Sequence, residues 1–247
     1  MPLPRSCWRT LMAAGLTVAA TTTAGAQSAG LPDARPDGRL LRAGFDTITF
    51  ISRAADRADT VGRADQSLEA LGGPDGSEWL QVYRSYESSV GLTGVDSLVM
   101  DRRTLRPLRE ARHNSLGSLH LTYTASGARG MIEPTGESPR MLDTTFAAPV
   151  FASASIDQVI RALPLDSGYA VKLDQYFPFP APFGVRSTEV RVLGTESVPD
   201  GSGHLVDCWV VGVFTGGDED NRYWINKASR RVVQIGEGEN LIILVRE

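Results

Sequence analysis

The sequence predicts an all-β domain carrying one short helix. Three observations predict it. Apolar residues recur at every second position through most of the chain beyond Leu40, turns rich in Gly, Asp and Pro separate these runs, and one stretch, residues 155–163, changes to helical spacing. Short strands at such intervals make a sandwich or a barrel.

The first element is an address. Arg5 and Arg9 precede an apolar run over 11–20 and the small-residue site Ala24-Gly25-Ala26, the three parts of a secretory signal peptide covering residues 1–26. The run is shorter than the ~20 apolar residues of a membrane-spanning helix. Cys7 lies ahead of it rather than after it, so neither a stable membrane anchor nor a lipidation cysteine is expected. The mature chain, 221 residues from Gln27, is expected to be soluble and periplasmic. Its 23 basic and 29 acidic residues leave a net charge of −6, which argues against nucleic acid as a partner. Cys208 is its one cysteine, so the core must hold by packing rather than by a disulfide.

Residues 27–39 are small, polar and Pro-rich, and read as a flexible leader before a single domain over 40–247. Strands are expected over 47–53, 79–87, 97–101, 108–113, 119–124, 129–133, 169–174, 188–193, 205–214, 222–226, 231–235 and 241–246. Residues 64–71 fit a strand or a short helix, and their neighbours favour the strand. "PDGSG" (199–203) and "GGDEDN" (216–221) read as hairpin tips. At 155–163, Ser155 and Gln158 make a capping box, and Ile156, Val159, Ile160 and Leu163 form an apolar stripe that Pro164 ends. A helix this short does not stand alone in water. It must lie on the sheet.

Residues with chemical potential are few. His113, His120 and His204 are scattered and without a second cysteine to join them, so no metal is expected. "DGSGH" brings Ser202 near His204 but lacks the Gly-x-Ser-x-Gly of a nucleophile elbow. Arg102, Arg103, Arg106, Arg109 and Arg112 read as an edge strand guarded by charge, or as a contact for anionic headgroups. Neither a cofactor nor a catalytic set is implied, and the chain is expected not to be an enzyme. "YFPFPAPFG" (176–184) sets Tyr176, Phe177, Phe179 and Phe183 among three prolines. Such a loop caps the end of a barrel, forms a lid over a cavity or offers a surface to a partner.

Several fragments together resemble a known group. "DRRTLRPL" (101–108), "LHLTYTASG" (119–127), "IRALPLDSGYAVKL" (160–173), "DCWVV" (207–211) and "YWINKASRRVVQI" (223–235) are similar to an uncharacterised family of exported bacterial β proteins, related in fold to the outer-membrane lipoprotein-sorting proteins. The resemblance implies a strongly curved antiparallel sheet, an unclosed half barrel of the lipoprotein-localisation type, with a helix across its open side. In the lipoprotein carriers that cavity shelters acyl chains. The corresponding expectation here is a lipid, acyl chain or other apolar ligand bound in the concavity, with a lipid or an acylated protein as partner. Ile156, Val159 and Ile160 would form its wall, Tyr169, Val171 and Leu173 its floor on the next strand, and Phe177, Phe179 and Phe183 its rim. The rival expectations are an envelope-interaction protein with a filled barrel and no ligand, and a hydrolase whose site the sequence hides.

Overall fold

Alternation along the chain becomes fifteen strands among the described residues of the computed structural model, which are 30–54, 57–72, 76–87, 91–178, 183–237 and 241–246. The N-terminal strands are β1 (Gly44–Ala54), β2 (Arg57–Leu71), β3 (Glu78–Glu87), β4 (Gly91–Asp101), β5 (Pro107–Asn114), β6 (Gly117–Thr124), β7 (Gly127–Pro134) and β8 (Arg140–Thr145). The helix α1 (Ile156–Arg161) follows a two-residue strand β9 (Phe151–Ala152). Then come β10 (Ala170–Phe177), β11 (Gly184–Pro199), β12 (Leu205–Thr215), β13 (Asp218–Asn226), β14 (Val232–Glu237) and β15 (Leu241–Arg246). The expected signal peptide and the position of Phe179 lie outside the described residues.

Two meanders share one sheet. β1 to β8 pair in sequence, β10 to β15 pair in sequence, and β1 pairs antiparallel with β15, giving the order β8-β7-β6-β5-β4-β3-β2-β1-β15-β14-β13-β12-β11-β10-β9. The sheet is a strongly curled half barrel. β8 and β9 are its two ends, and side chains rather than a backbone ladder join them. Tyr176 of β10 packs on Phe146 with ring centroids 4.9 Å apart and meets Tyr123 edge-on at 6.2 Å. Arg140 of β8 lies over the Phe183 ring, 4.7 Å from its centroid. Leu119, Leu121 and Ile132 complete the small core under this seam.

The long connection from β8 to β10 carries α1 across the interior. Its apolar stripe, Val159, Ile160 and Leu163, is fully buried in the main core among residues from both meanders, including Leu68, Trp79, Leu98, Val190 and Val211. A six-residue helix has no independent stability, so this packing holds it. The expected bounds of 155–163 shrink by one residue at the start and two at the end. The capping box does not form. Ser155 Oγ donates to the Ala152 carbonyl, and Gln158 turns its amide to Asp157 and its oxygen to Arg161.

Two further expectations are corrected. The leader expected over 27–39 is docked from residue 31 onward. Ala34 N–H donates to the Lys172 carbonyl, Lys172 N–H to Pro32, Asp37 N–H to Ala162 and Gly38 N–H to Arg103, and Ala34 and Leu41 enter the main core. Gly38 is required there, because a Cβ would stand 2.1 Å from the Arg102 carbonyl oxygen. The arginine run is not on an edge strand, since β5 lies between β4 and β6. Arg102 stacks on Trp79, Arg109 pairs with Glu78, and Arg112 turns inward to Glu110.

The residues 64–71 are strand, as favoured. Residues 140–145, not among the expected strands, form β8. The 199–203 tip is a turn in which Asp200 accepts from the Ser202 and His204 amides. In the other tip only Gly216 and Gly217, both at positive φ, make the turn, and Asp218 already opens β13.

Candidate functional site

Inward-facing positions of neighbouring strands line up in rows across the sheet, because register fixes which residues stand opposite. One such row runs Asp46, Gln66, Tyr83, Asp96, Arg112 from β1 to β5. The next runs Leu68, Gln81, Leu98, Glu110 from β2 to β5. Polar groups thus form a belt on the concave face, where hydrophobic side chains would be the default.

Beside this belt, between the sheet and the start of α1, is a cavity of about 250 Å³. Its apolar wall includes Ile48, Phe50, Leu98, Ile156, Ile235 and Val245, and Tyr223 and Val232 also line it. Its polar wall is the belt apart from Arg112, joined by Asp157 and Arg161 of α1. The helix is pinned to the belt. Gln66 Nε2 donates to Asp157 Oδ2 at 2.9 Å, and Gln81 Nε2 donates to the Ala154 carbonyl at 2.9 Å.

The charges in the belt are mostly matched. Asp46 is held by Arg231, Glu110 by Arg112 and the Tyr123 hydroxyl, and Asp157 by the two glutamine amides and the field of Arg161. Burial still pushes the Asp157 carboxyl above the ordinary range, the Arg161 charge and the hydrogen bonds opposing it. Asp96 differs, for no hydrogen bond to its carboxylate comes from the described residues. Burial raises its pKa, Arg112 opposes that and Glu110 adds to it. Tyr83, opposite Asp96, is pushed up to about 12 by burial and then by the Asp96 and Asp157 charges, so it stays a phenol. Gln81 is 4 % exposed and its Oε1 has no hydrogen-bond partner among the described residues.

At the other end α1 is bracketed by two arginines. Arg161 Nε donates to the Arg230 carbonyl at 2.8 Å and Nη1 to Gln158 Oε1 at 2.8 Å. Arg230 in return donates to the Arg161 and Leu163 carbonyls at 3.0 to 3.3 Å, satisfying the helix C-terminus. Arg230 holds φ +57, a conformation that costs a residue with a side chain and persists where the surroundings demand it.

Of the residues expected to bind ligand, Ile156 lines this cavity. Val159, Ile160, Val171 and Leu173 are packed solid in the core and Tyr169 is half-buried against it, so they do not face that space. Phe177 lies under Arg186 and Phe183 under Arg140, at the seam. Phe177 and Phe183 therefore flank the join between the sheet's ends and do not line the cavity. The belt itself was not anticipated. Its signal was parity: Gln66 stands between Ala64 and Leu68, Gln81 between Trp79 and Tyr83, and Asp96 two before Leu98, each on the core face of its strand.

Among the described residues no group of three His, Cys, Asp or Glu side chains is placed to hold a metal ion. His120 is exposed on β6. Ser202 Oγ lies 2.8 Å from His204 Nδ1 and 2.7 Å from Asp200 Oδ1, all on the exposed hairpin tip, where Asp200 organises the turn.

Residues 76–237 match a family described as a protein of unknown function (DUF3108), and the chain belongs to that family. Its Asp-x-x-Thr-Leu-x-Pro segment is a turn in which Asp101 Oδ1 accepts from Thr104 N at 2.7 Å and Thr104 Oγ1 at 2.6 Å, sending Leu105 into the core at φ +57. No curated protein matches the chain. Among solved structures, a beta-barrel-like protein of domain of unknown function DUF1849 from Brucella abortus is similar over 87% of this chain and 98% of that one, with 10% sequence identity and a TM-score of 0.49.

Proposed function

We propose that this member of the DUF3108 family is a non-enzymatic periplasmic protein that holds a small apolar or amphipathic ligand inside its half barrel. The observation that carries the reading is the cavity between α1 and strands β1 to β5 and β13 to β15, apolar on one wall and polar on the other. Two readings of the sequence support it: the expected secretory signal, and the resemblance to exported β proteins related in fold to the lipoprotein-sorting proteins, in which the concavity shelters acyl chains. No helix among the described residues is long and apolar enough to cross a membrane.

Size narrows the ligand. At ~30 Å³ per small group, 250 Å³ holds roughly eight or nine non-hydrogen atoms. That is a short chain, a small ring, or one end of a longer acyl chain, and a whole diacyl lipid exceeds it. Burying an eight-carbon chain contributes at most about 6 kcal/mol at ~0.8 kcal/mol per methylene, so Kd should be no tighter than tens of micromolar from the chain alone.

The test is calorimetric titration with 1-octanol, which should bind saturably at one site. Ile156→Trp, which fills the cavity from the helix side, should abolish binding while the β-sheet circular dichroism is kept. An envelope-interaction protein with no ligand would bind nothing in either form.

A further inference from the structure

The acceptors in the polar wall outnumber its free donors, and this has a consequence for the ligand's head. Four carboxylates line the cavity, those of Asp46, Asp96, Glu110 and Asp157, against one guanidinium, that of Arg161. Arg161 is already committed to the Arg230 carbonyl and to Gln158, and Arg112 behind the wall is committed to Glu110 and Ser153. A ligand carboxylate entering here would meet negative charge whose nearby cations are engaged. A neutral head would leave Asp96 as it stands.

An acidic cluster alone would not make a site. The independent observation is Gln81, which lines the same cavity, is 4 % exposed, and is oriented by its bond to the Ala154 carbonyl so that its amide oxygen lacks a donor among the described residues. Reversing the amide would set two oxygens against each other at Ala154, so the orientation is fixed by its neighbour. A buried acceptor without a donor is costly, and on this strand pair it stands in the row next to Asp96. One ligand group with several N–H donors and a positive charge would serve both.

We infer that the ligand is a small amphiphile with a cationic nitrogen head, its ammonium lodged between Asp96 and Gln81 and its apolar body against Ile48, Phe50 and Ile156. The inference rests on the binding reading above and adds the head-group class. A primary amine supplies three N–H donors and a full charge at neutral pH. In a partly desolvated site a charge-assisted hydrogen bond is about twice as strong as a neutral one, so the head should dominate selectivity among ligands with the same chain.

Three probes of equal length separate the outcomes: octylamine, 1-octanol and octanoate, titrated into the wild-type chain at pH 7. Octylamine should bind at least tenfold tighter than octanol, and octanoate at least tenfold weaker. Asp96→Asn should bring the amine-to-alcohol ratio down toward one, and Asp96→Glu should keep most of it. If the three probes bind alike, the cavity binds chains without reading the head, and the cationic inference falls while the binding reading stands. A preference for octanoate overturns it as well. Binding of none of the three removes both readings. The wild-type comparison decides the matter even if a variant fails to fold.

Discussion

Arg161→Ala tests whether the helix is a fixed part of the barrel. Arg161 is the last residue of α1. In the structure it is 5 % exposed and donates two hydrogen bonds from a charged group, one to the Arg230 carbonyl and one to Gln158 Oε1. Truncation leaves that carbonyl and that amide without donors and removes the cation whose field offsets the desolvation of Asp157. Removing one partner of a buried, hydrogen-bonded charge system costs about 3–5 kcal/mol. For a domain of this size each kcal/mol lowers Tm by roughly 2–4 °C, so a loss of roughly 6–20 °C is expected. Arg230→Ala loses the exposed side of the bracket and should cost less, about 1.5–3 kcal/mol for hydrogen bonds from a charged donor. The double variant should fall short of the sum, because each arginine orients the backbone that the other grips. Urea unfolding with an unchanged m-value would report these losses as stability. A shift below about 1 kcal/mol for Arg161→Ala would refute the reasoning, showing that water satisfies those groups and that the helix end is loose.

Three other outcomes follow from the same structure. Asp96→Asn should stabilise the unliganded protein at neutral pH. The folded-state pKa of Asp96 is raised by burial from 3.8, so its favourable, protonated form persists at low pH and is lost as pH rises through the folded value. The variant's advantage in thermal melts should therefore open as pH rises from about 4 and vanish below it, and a constant advantage at every pH would count against the cause given. Cys208 is fully buried and burial pushes its thiol up to about 11, so a maleimide should label it only after denaturation; rapid labelling of the native chain would place it elsewhere. Tyr176→Ala should cost about 3–5 kcal/mol, because the ring is 1 % exposed in the seam core. Phe183→Ala, 46 % exposed, should change Tm little, and equal losses from both would mean that Phe183 is core as well.

The fold was legible because most strands obey one rule. In β6, Leu119, Leu121 and Tyr123 are buried while His120, Thr122 and Thr124 face water, and period two is enough to identify such a strand. β8 escaped because it is an end strand with little to bury: of Arg140 to Thr145 every second residue at most is even half-covered. The docked strap from residue 31 escaped for another reason. Its bonds are made by backbone to Lys172, Ala162 and Arg103, and backbone partners leave no mark on composition.

The cavity was illegible for a reason tied to what lines it. Apolar residues on the helix were expected to face the ligand, yet the most apolar positions, Val159 and Ile160, are the ones packed with no space left, as close packing of complementary surfaces requires. Space remains where the strands present Asp46, Gln66, Gln81 and Asp96 on core-facing positions, since polar side chains held by specific partners cannot close ranks as Leu and Val do. In a chain otherwise consistent from pattern to packing, such departures mark strain or function. Asp96 is the clearest of them: it keeps the parity of Leu98 and Met100, lacks a hydrogen-bond donor among the described residues, and is the residue on which the choice between amine, alcohol and carboxylate turns.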